Sequence, residues 1–356
     1  MMLRTIRRAG FRALKTSGIS STLARSSWRR RRLLILCYHG ISSPTGIPAQ
    51  DEHEWQPTLY MTQDVLVSRF RLIKTSGCEV LPLGEALKHL YAGTLPSKSV
   101  AITFDDGGYD FYRSAYPVVR DFGFPVMVYQ TTYYSDFPRP IFNLACSYLL
   151  WKSRGHRLLA APELGIPGEF DLRSEVTRRG VVNHLHAFAE QQNYSGAAKD
   201  ELAAKLATLL GQDYDAFCAS RLFQLMTPAE IQELSSQGVD FQLHTHRHRT
   251  PKEEALFRRE IRENRQRLEE ITGKPATHFC YPSGVYRLEF LPWLRQEGVT
   301  SATTCEPSLV SAATNPLLLP RLVDTSFKTS LEFESWLDGT GALLARRPVS
   351  ARVNHD

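Results

Sequence analysis

Short apolar runs recur along the chain, each closed by polar or glycine residues. Leu33-Leu34-Ile35-Leu36-Cys37-Tyr38 carries no charged side chain, as expected of a strand buried on both faces of a parallel sheet. Ser99–Phe104, Pro125–Tyr129, Thr277–Tyr281 and Val299–Thr304 read as further strands, Glu79–Pro82 as a shorter one, and Val239–Leu243 alternates with period two. Segments of helical period lie between them. Thr62–Ser76 aligns Val65, Leu66, Phe70 and Ile73 behind a capping Thr62 and stops near Gly77. Leu83–Tyr91, Tyr112–Phe122 and Leu288–Gly298 continue the alternation, and Lys252–Thr272 is an amphipathic helix ended by Gly273 with Pro275 beyond. Thr227-Pro228-Ala229-Glu230 opens one more helix with a capping Thr, a proline at the first helical position and an acid behind it. Strand followed by helix throughout predicts parallel strands joined by crossover helices.

The rhythm breaks over residues 131–225, where aromatic and proline-rich sequence gives way to helical patterns such as Val181–Gln191 and Ala197–Leu210. We read this as a mostly helical insertion in one α/β domain at 33–335, with a basic tail at 1–32, a loop at 42–60 and a C-terminal tail at 336–356. The chain has 356 residues and 42% hydrophobic content, enough for one large domain.

Charge changes the picture at one end only. The net charge is +6, yet residues 1–50 alone hold ten Lys or Arg and no Asp or Glu. The basic excess therefore belongs to a short segment and not to a folded surface, which argues against nucleic acid as a partner. Leu3, Ile6, Phe11 and Leu14 fall on one side of that segment, so it reads either as a basic helix suited to peripheral contact with an anionic membrane or as a solvated tail. Neither Arg7-Arg8 nor Arg29–Arg32 is followed by an apolar stretch of export length, so a cytoplasmic protein is expected. The six cysteines show no C-x-x-C spacing and read as reduced core residues.

Two polar clusters occupy equivalent places. Asp105-Asp106-Gly107-Gly108 follows the Ser99–Phe104 strand, and His244-Thr245-His246-Arg247-His248 follows Val239–Leu243. Barrel enzymes build their sites at such carboxyl ends. Taken alone, Asp-Asp-Gly-Gly is a turn and the histidines a solvated loop. Together, two imidazoles and a carboxylate make a three-ligand site for Zn²⁺ or a similar divalent ion, with a position left for water whose pKa the ion lowers. A second carboxylate then serves as base.

Thr103-Phe104-Asp105-Asp106-Gly107 and His244-Thr245-x-x-His248 resemble the first two motifs of the polysaccharide deacetylases, carbohydrate esterase family four. Cys37-Tyr38-His39-Gly40-Ile41 resembles the opening signature of one branch that modifies exopolysaccharides, and Ser301–Thr304 and Leu319-Pro320-Arg321 resemble its later strands. The resemblance implies an irregular (β/α)₇ barrel and a hydrolase that removes N-acetyl groups from amino sugars of a glycan. It implies Asp105 as base, and Asp106, His244 and His248 as ligands of a divalent metal, Zn²⁺ by preference.

Phe279-Cys280-Tyr281-Pro282-Ser283-Gly284 stands where many members carry an arginine-containing motif. Cys280 replaces the arginine that orients the catalytic aspartate, so Arg321 becomes the substitute cation, with a structural salt bridge as the alternative. The Ser283 amide remains available for an oxyanion, and Tyr281 and Pro282 join Arg321 as substrate-facing residues. The family's late leucine-histidine motif has no counterpart after residue 305, which leaves His39 as the acid for the departing amine, or else as a polar residue lining the barrel mouth. Tyr109, Tyr133, Tyr134 and Tyr286 suit either sugar stacking or core packing. His53, His184 and His186 read as surface or insertion residues. Rival readings are a deacylase of small amides or O-acetyl esters, and a non-catalytic glycan-binding barrel.

Overall fold

The computed structural model describes residues 2–42, 55 and 60–345, with side chains placed from residue 9. The expected 42–60 loop and His53 fall largely or wholly outside the described residues.

The N-terminal segment is helical: α1 (Met2–Thr16), α2 (Ile19–Arg25) and α3 (Ser27–Arg30) precede β1 (Arg32–Tyr38). After α4 (Gln63–Thr75) and α5 (Leu83–Ala92) comes β2 (Ser99–Phe104); a widened turn at Phe111–Ala115 then leads into α6 (Tyr116–Phe122) and β3 (Val126–Gln130). The helical pattern from Tyr112 thus begins as a π-turn, directly before Pro117, whose nitrogen has no hydrogen to donate.

Residues 134–227 form a separate compact unit. It contains α7 (Phe142–Lys152), α8 (Glu175–Gln191), α9 (Gly196–Leu209) and α10 (Tyr214–Ala219). Its own core is built from Phe142, Leu149, Val181, Leu185, Leu202 and Leu206, and a short antiparallel pair, Arg157–Leu158 with Phe170–Asp171, closes one side.

The first unit resumes at Pro228 with α11 (Pro228–Ser236), β4 (Asp240–Leu243), α12 (Glu254–Thr272), β5 (His278–Cys280), α13 (Phe290–Gln296), β6 (Ser301–Thr303), β7 (Leu322–Val323), α14 (Ser330–Asp338) and α15 (Thr340–Leu344). Its parallel strands pair in the order β7-β1-β2-β3-β4-β5-β6. A single parallel bridge from Thr303 to Leu319 ties the segment before β7 back to β6. The sheet is therefore a curled α/β half-barrel whose path runs through these seven parallel strands, joined loosely where β6 meets β7, with the short Glu79–Val80 strand parallel to β2 and Val310–Ser311 antiparallel to β1. β1 and β2 are buried along almost their whole length, which is why their sequences show no alternation.

Two corrections concern the ends. Residues 336–356 are not a tail throughout, because Phe333, Trp336 and Leu337 of α14 are buried and α15 follows. The 1–32 segment is also docked: Phe11 is buried, Lys15 pairs with Glu334 at 2.6 Å, and the buried Arg29 gives its Nε to the Leu337 carbonyl at 3.0 Å. The two ends of the chain cover each other's apolar faces.

Candidate active site

Four of the parallel strands run into residues singled out above. β1 runs into His39, β2 into Asp105-Asp106, β4 into His244, and β5 into Tyr281. Asp106 adopts φ 71° and Gly107 φ 76°. This left-handed bend turns the two carboxylates apart, and Gly107 tolerates no side chain, since a Cβ there would lie 1.9 Å from Gln130 Oε1.

Asp106 Oδ1 lies 3.2 Å from His244 Nε2 and 3.2 Å from His248 Nε2. The His244 Nδ1 is 2.9 Å from the Cys280 carbonyl, which can only accept, so Nδ1 carries the hydrogen and Nε2 directs its lone pair at Asp106. One atom from each of Asp106, His244 and His248 falls within 4.8 Å of the others. Lone pairs converging in this way fit a divalent cation, and the nitrogen and carboxylate donors match three-ligand hydrolytic sites.

Asp105 is buried, with a carboxylate oxygen within 4.8 Å of a His244 ring nitrogen. Arg321 meets it with two parallel bonds, Nη1 to Oδ1 and Nη2 to Oδ2, both 2.7 Å. Burial raises the Asp105 carboxyl, yet the Arg321 charge and hydrogen bonds keep it far below an ordinary aspartate. Arg321 itself is fully buried and also donates to Thr103 Oγ1 at 3.0 Å and the Thr304 carbonyl at 3.1 Å. Cys280 stands beside this pair, with Sγ 3.0 Å from Arg321 Nη2 and 3.5 Å from Asp105 Oδ2. A small thiol at 280 leaves the space that the guanidinium from residue 321 enters. Cys37 Sγ approaches the same carboxylate at 3.4 Å.

His39 Nε2 is 3.7 Å from Asp105 Oδ2 and partly exposed. Asp110, at the end of the Asp-Asp-Gly-Gly segment, accepts the Ile41 amide at 2.6 Å and ties the chain after His39 to this motif; burial lifts its carboxyl to about 6 against the lowering by that amide. Ser283 is exposed in a turn at Pro282–Gly284 and takes φ 57°.

Tyr281, Pro282 and the substrate-facing placement of Arg321 are corrections, since Arg321 is fully buried against Asp105. Tyr281 is fully buried, packs edge-on to Phe279 and spends its hydroxyl on the Leu317 carbonyl at 3.0 Å, so it belongs to the core; Pro282 is buried beside it. Their neighbour Ser283 alone faces outward, because the turn reverses the chain there. Of the other tyrosines, Tyr109 stacks on Tyr112, Tyr133 meets the His246 ring edge-on, and Tyr286 donates to Glu306 at 3.1 Å. Tyr134 belongs to the separate 134–227 unit, as do His184, set against the Phe170 ring, and the exposed His186.

Glu260 and Asn264 were missed from sequence. Both are buried on α12 and contact the segment that carries His244 and His248. The available signal was two polar residues on the apolar face of an amphipathic helix, beside Phe257, Ile261 and Leu268.

The family model described as polysaccharide deacetylase matches residues 197–302, which include His244 and His248. A curated relative, the poly-beta-1,6-N-acetyl-D-glucosamine N-deacetylase of Escherichia coli strain K12, is 24% identical over 108 residues, covering 30% of this chain and 15% of that protein. The same figures hold for its counterpart in Escherichia coli O157:H7. The match thus spans only a small part of these relatives. Among solved structures, the deacetylase PplD of Streptococcus pyogenes, in complex with acetate, aligns with a TM-score of 0.55 at 18% identity, covering 86% of this chain and 97% of that one. IcaB from Ammonifex degensii aligns with a TM-score of 0.52 at 17% identity, covering 87% and 97%. These structural likenesses concern the fold, while the segment similar to the polysaccharide deacetylase family model runs through the His244–His248 turn.

Proposed function

We propose that the protein is a metal-dependent hydrolase that removes N-acetyl groups from amino sugars of a polysaccharide or glycan precursor. The observation that carries this reading is the division of labour between adjacent aspartates: Asp106 converges with His244 and His248, while Asp105 is held charged by Arg321. The names of the curated relatives, which deacetylate an N-acetylglucosamine polymer, support the substrate class.

A divalent ion, Zn²⁺ by the donor set, would be held by Asp106, His244 and His248 and would supply charge to polarise the acetamide carbonyl and acidify water. Asp105 takes the proton from the attacking water. Its low carboxyl pKa keeps it ionised at neutral pH. The Ser283 amide donates to the oxygen that becomes negative when the carbonyl carbon turns tetrahedral. His39, close to Asp105 and partly open to solvent, delivers a proton to the departing amine, and acetate and a free amino sugar leave. Peripheral contact of the cationic N-terminal helices with an anionic membrane forms part of the same proposal.

The test combines metal content with acetate release from N-acetylglucosamine oligomers and from small acyl amides. Asp105→Asn should keep its metal and lose roughly 10²–10⁴-fold in rate, the span of general-base contributions. Unchanged activity in that variant would remove Asp105 from the role of base, and faster turnover of small amides than of oligomers would remove the glycan assignment.

A further inference from the structure

The turn between His244 and His248 is built in an unfavourable conformation. Thr245 adopts φ 62° and His248 φ 53°, a left-handed region that β-branched and bulky residues rarely occupy. Such backbone persists only where its surroundings hold it in place. Two buried side chains one helical turn apart on α12 do this. Glu260 accepts the Arg247 amide at 2.8 Å and binds both neighbouring guanidinium groups, Arg249 Nε at 2.7 Å and Arg247 Nη1 at 3.2 Å. Asn264 accepts the His244 amide at 2.9 Å and donates to the Gln130 carbonyl and Thr132 Oγ1, both at 3.0 Å. The Glu260 carbonyl also receives the His246 amide at 3.1 Å. Three amides of the turn that holds both histidines, those of residues 244, 246 and 247, therefore end on α12.

We infer that Glu260 and Asn264 are positioning residues that hold the His244–His248 turn in metal-binding geometry. This inference rests on the proposed metal site. Glu260 touches no ligand atom, and its carboxylate would otherwise be a costly group to bury. Its charge is balanced by Arg247 and Arg249, both of the turn, so removing that charge loosens the turn and not the helix. Partners of this kind typically set metal affinity by about 10–100-fold.

The experiment measures Zn²⁺ affinity by chelator competition and the visible spectrum of the Co²⁺-loaded protein for the full chain, its Glu260→Gln and Asn264→Ala variants, and Glu263→Gln as a control. Glu263 binds Arg247 from the more exposed side of the same helix. The expected result is a loss of at least tenfold in Zn²⁺ affinity and an altered Co²⁺ spectrum for Glu260→Gln and Asn264→Ala, with metal-free melting temperature close to the parent and with Glu263→Gln near parental on both readouts. Equal affinity and spectrum in parent and Glu260→Gln would overturn the inference, as would an affinity loss only in proportion to a lowered metal-free melting temperature. Should Asn264→Ala fail to fold, Asn264→Asp, which keeps the acceptor for His244, decides that position on the same readouts. A parent chain that binds no metal would overturn the site itself, an outcome distinct from failure of the positioning role.

Discussion

Asp105 and Asp106 are adjacent in sequence and opposite in surroundings. One ends on a fully buried arginine, the other on two imidazoles. A bidentate guanidinium fixes both the charge and the orientation of Asp105, which a lysine ammonium cannot reproduce. Arg321→Met would leave that carboxylate buried and uncompensated, and losses from breaking a buried pair on one side run to about 3–5 kcal/mol. Denaturant unfolding should show the midpoint falling accordingly, and an unchanged midpoint would mean that solvent reaches Asp105 and that the pair is not what holds it. The adjacency of the aspartates was legible in sequence, because a strand end followed by Asp-Asp-Gly admits few structures. The burial of Tyr281 was not, since the turn that exposes Ser283 and hides its neighbour depends on a left-handed residue that no local pattern announces.

Elements carry the next layer. α12 presents one face to the His244–His248 turn and another to Glu297, which follows α13 and is bonded by Arg262 Nε at 2.9 Å and by Arg258. Burial pushes the Glu297 carboxyl up, but the two guanidinium groups outweigh this and leave it below its usual value of 4.5. A carboxyl whose folded pKa is depressed stabilises the fold above its unfolded pKa and loses that contribution as pH falls through the folded value. Glu297→Gln should therefore lower stability by about 1 kcal/mol at pH 7, in line with partly exposed ion pairs, and the gap from the parent should narrow as pH falls below 4.5. Thermal melts at both pH values measure it, and a gap that persists in acid would assign the effect to packing. The helix was legible from its apolar spacing and its Gly273 stop. Its two buried polar residues were not assigned, because amphipathic pattern reports which face is covered and not what covers it.

At the scale of the molecule, the basic N-terminal segment is folded against α14 and leaves Arg12, Arg25, Arg30 and Arg31 exposed. Each cation near an anionic bilayer contributes on the order of 1 kcal/mol. The protein should cosediment with vesicles containing phosphatidylserine, release them as salt rises, and leave phosphatidylcholine vesicles unbound. Equal binding to both vesicle types would point to apolar insertion, and binding to neither would dismiss the contact.

The sequence by itself determined the α/β alternation, the strand ends and the four residues at their centre. Those features are local: a run of apolar residues, a glycine that stops a helix, an Asp-Asp-Gly bend and a histidine pair on one turn. Tertiary structure alone decided that Arg321 reaches Asp105 across 216 positions of chain, that Glu260 and Asn264 hold the histidine turn, and that the two ends of the chain pack together. Each of these joins side chains far apart in sequence through the closure of the barrel, and a guanidinium or carboxylate can be buried only where the fold brings its partner to it.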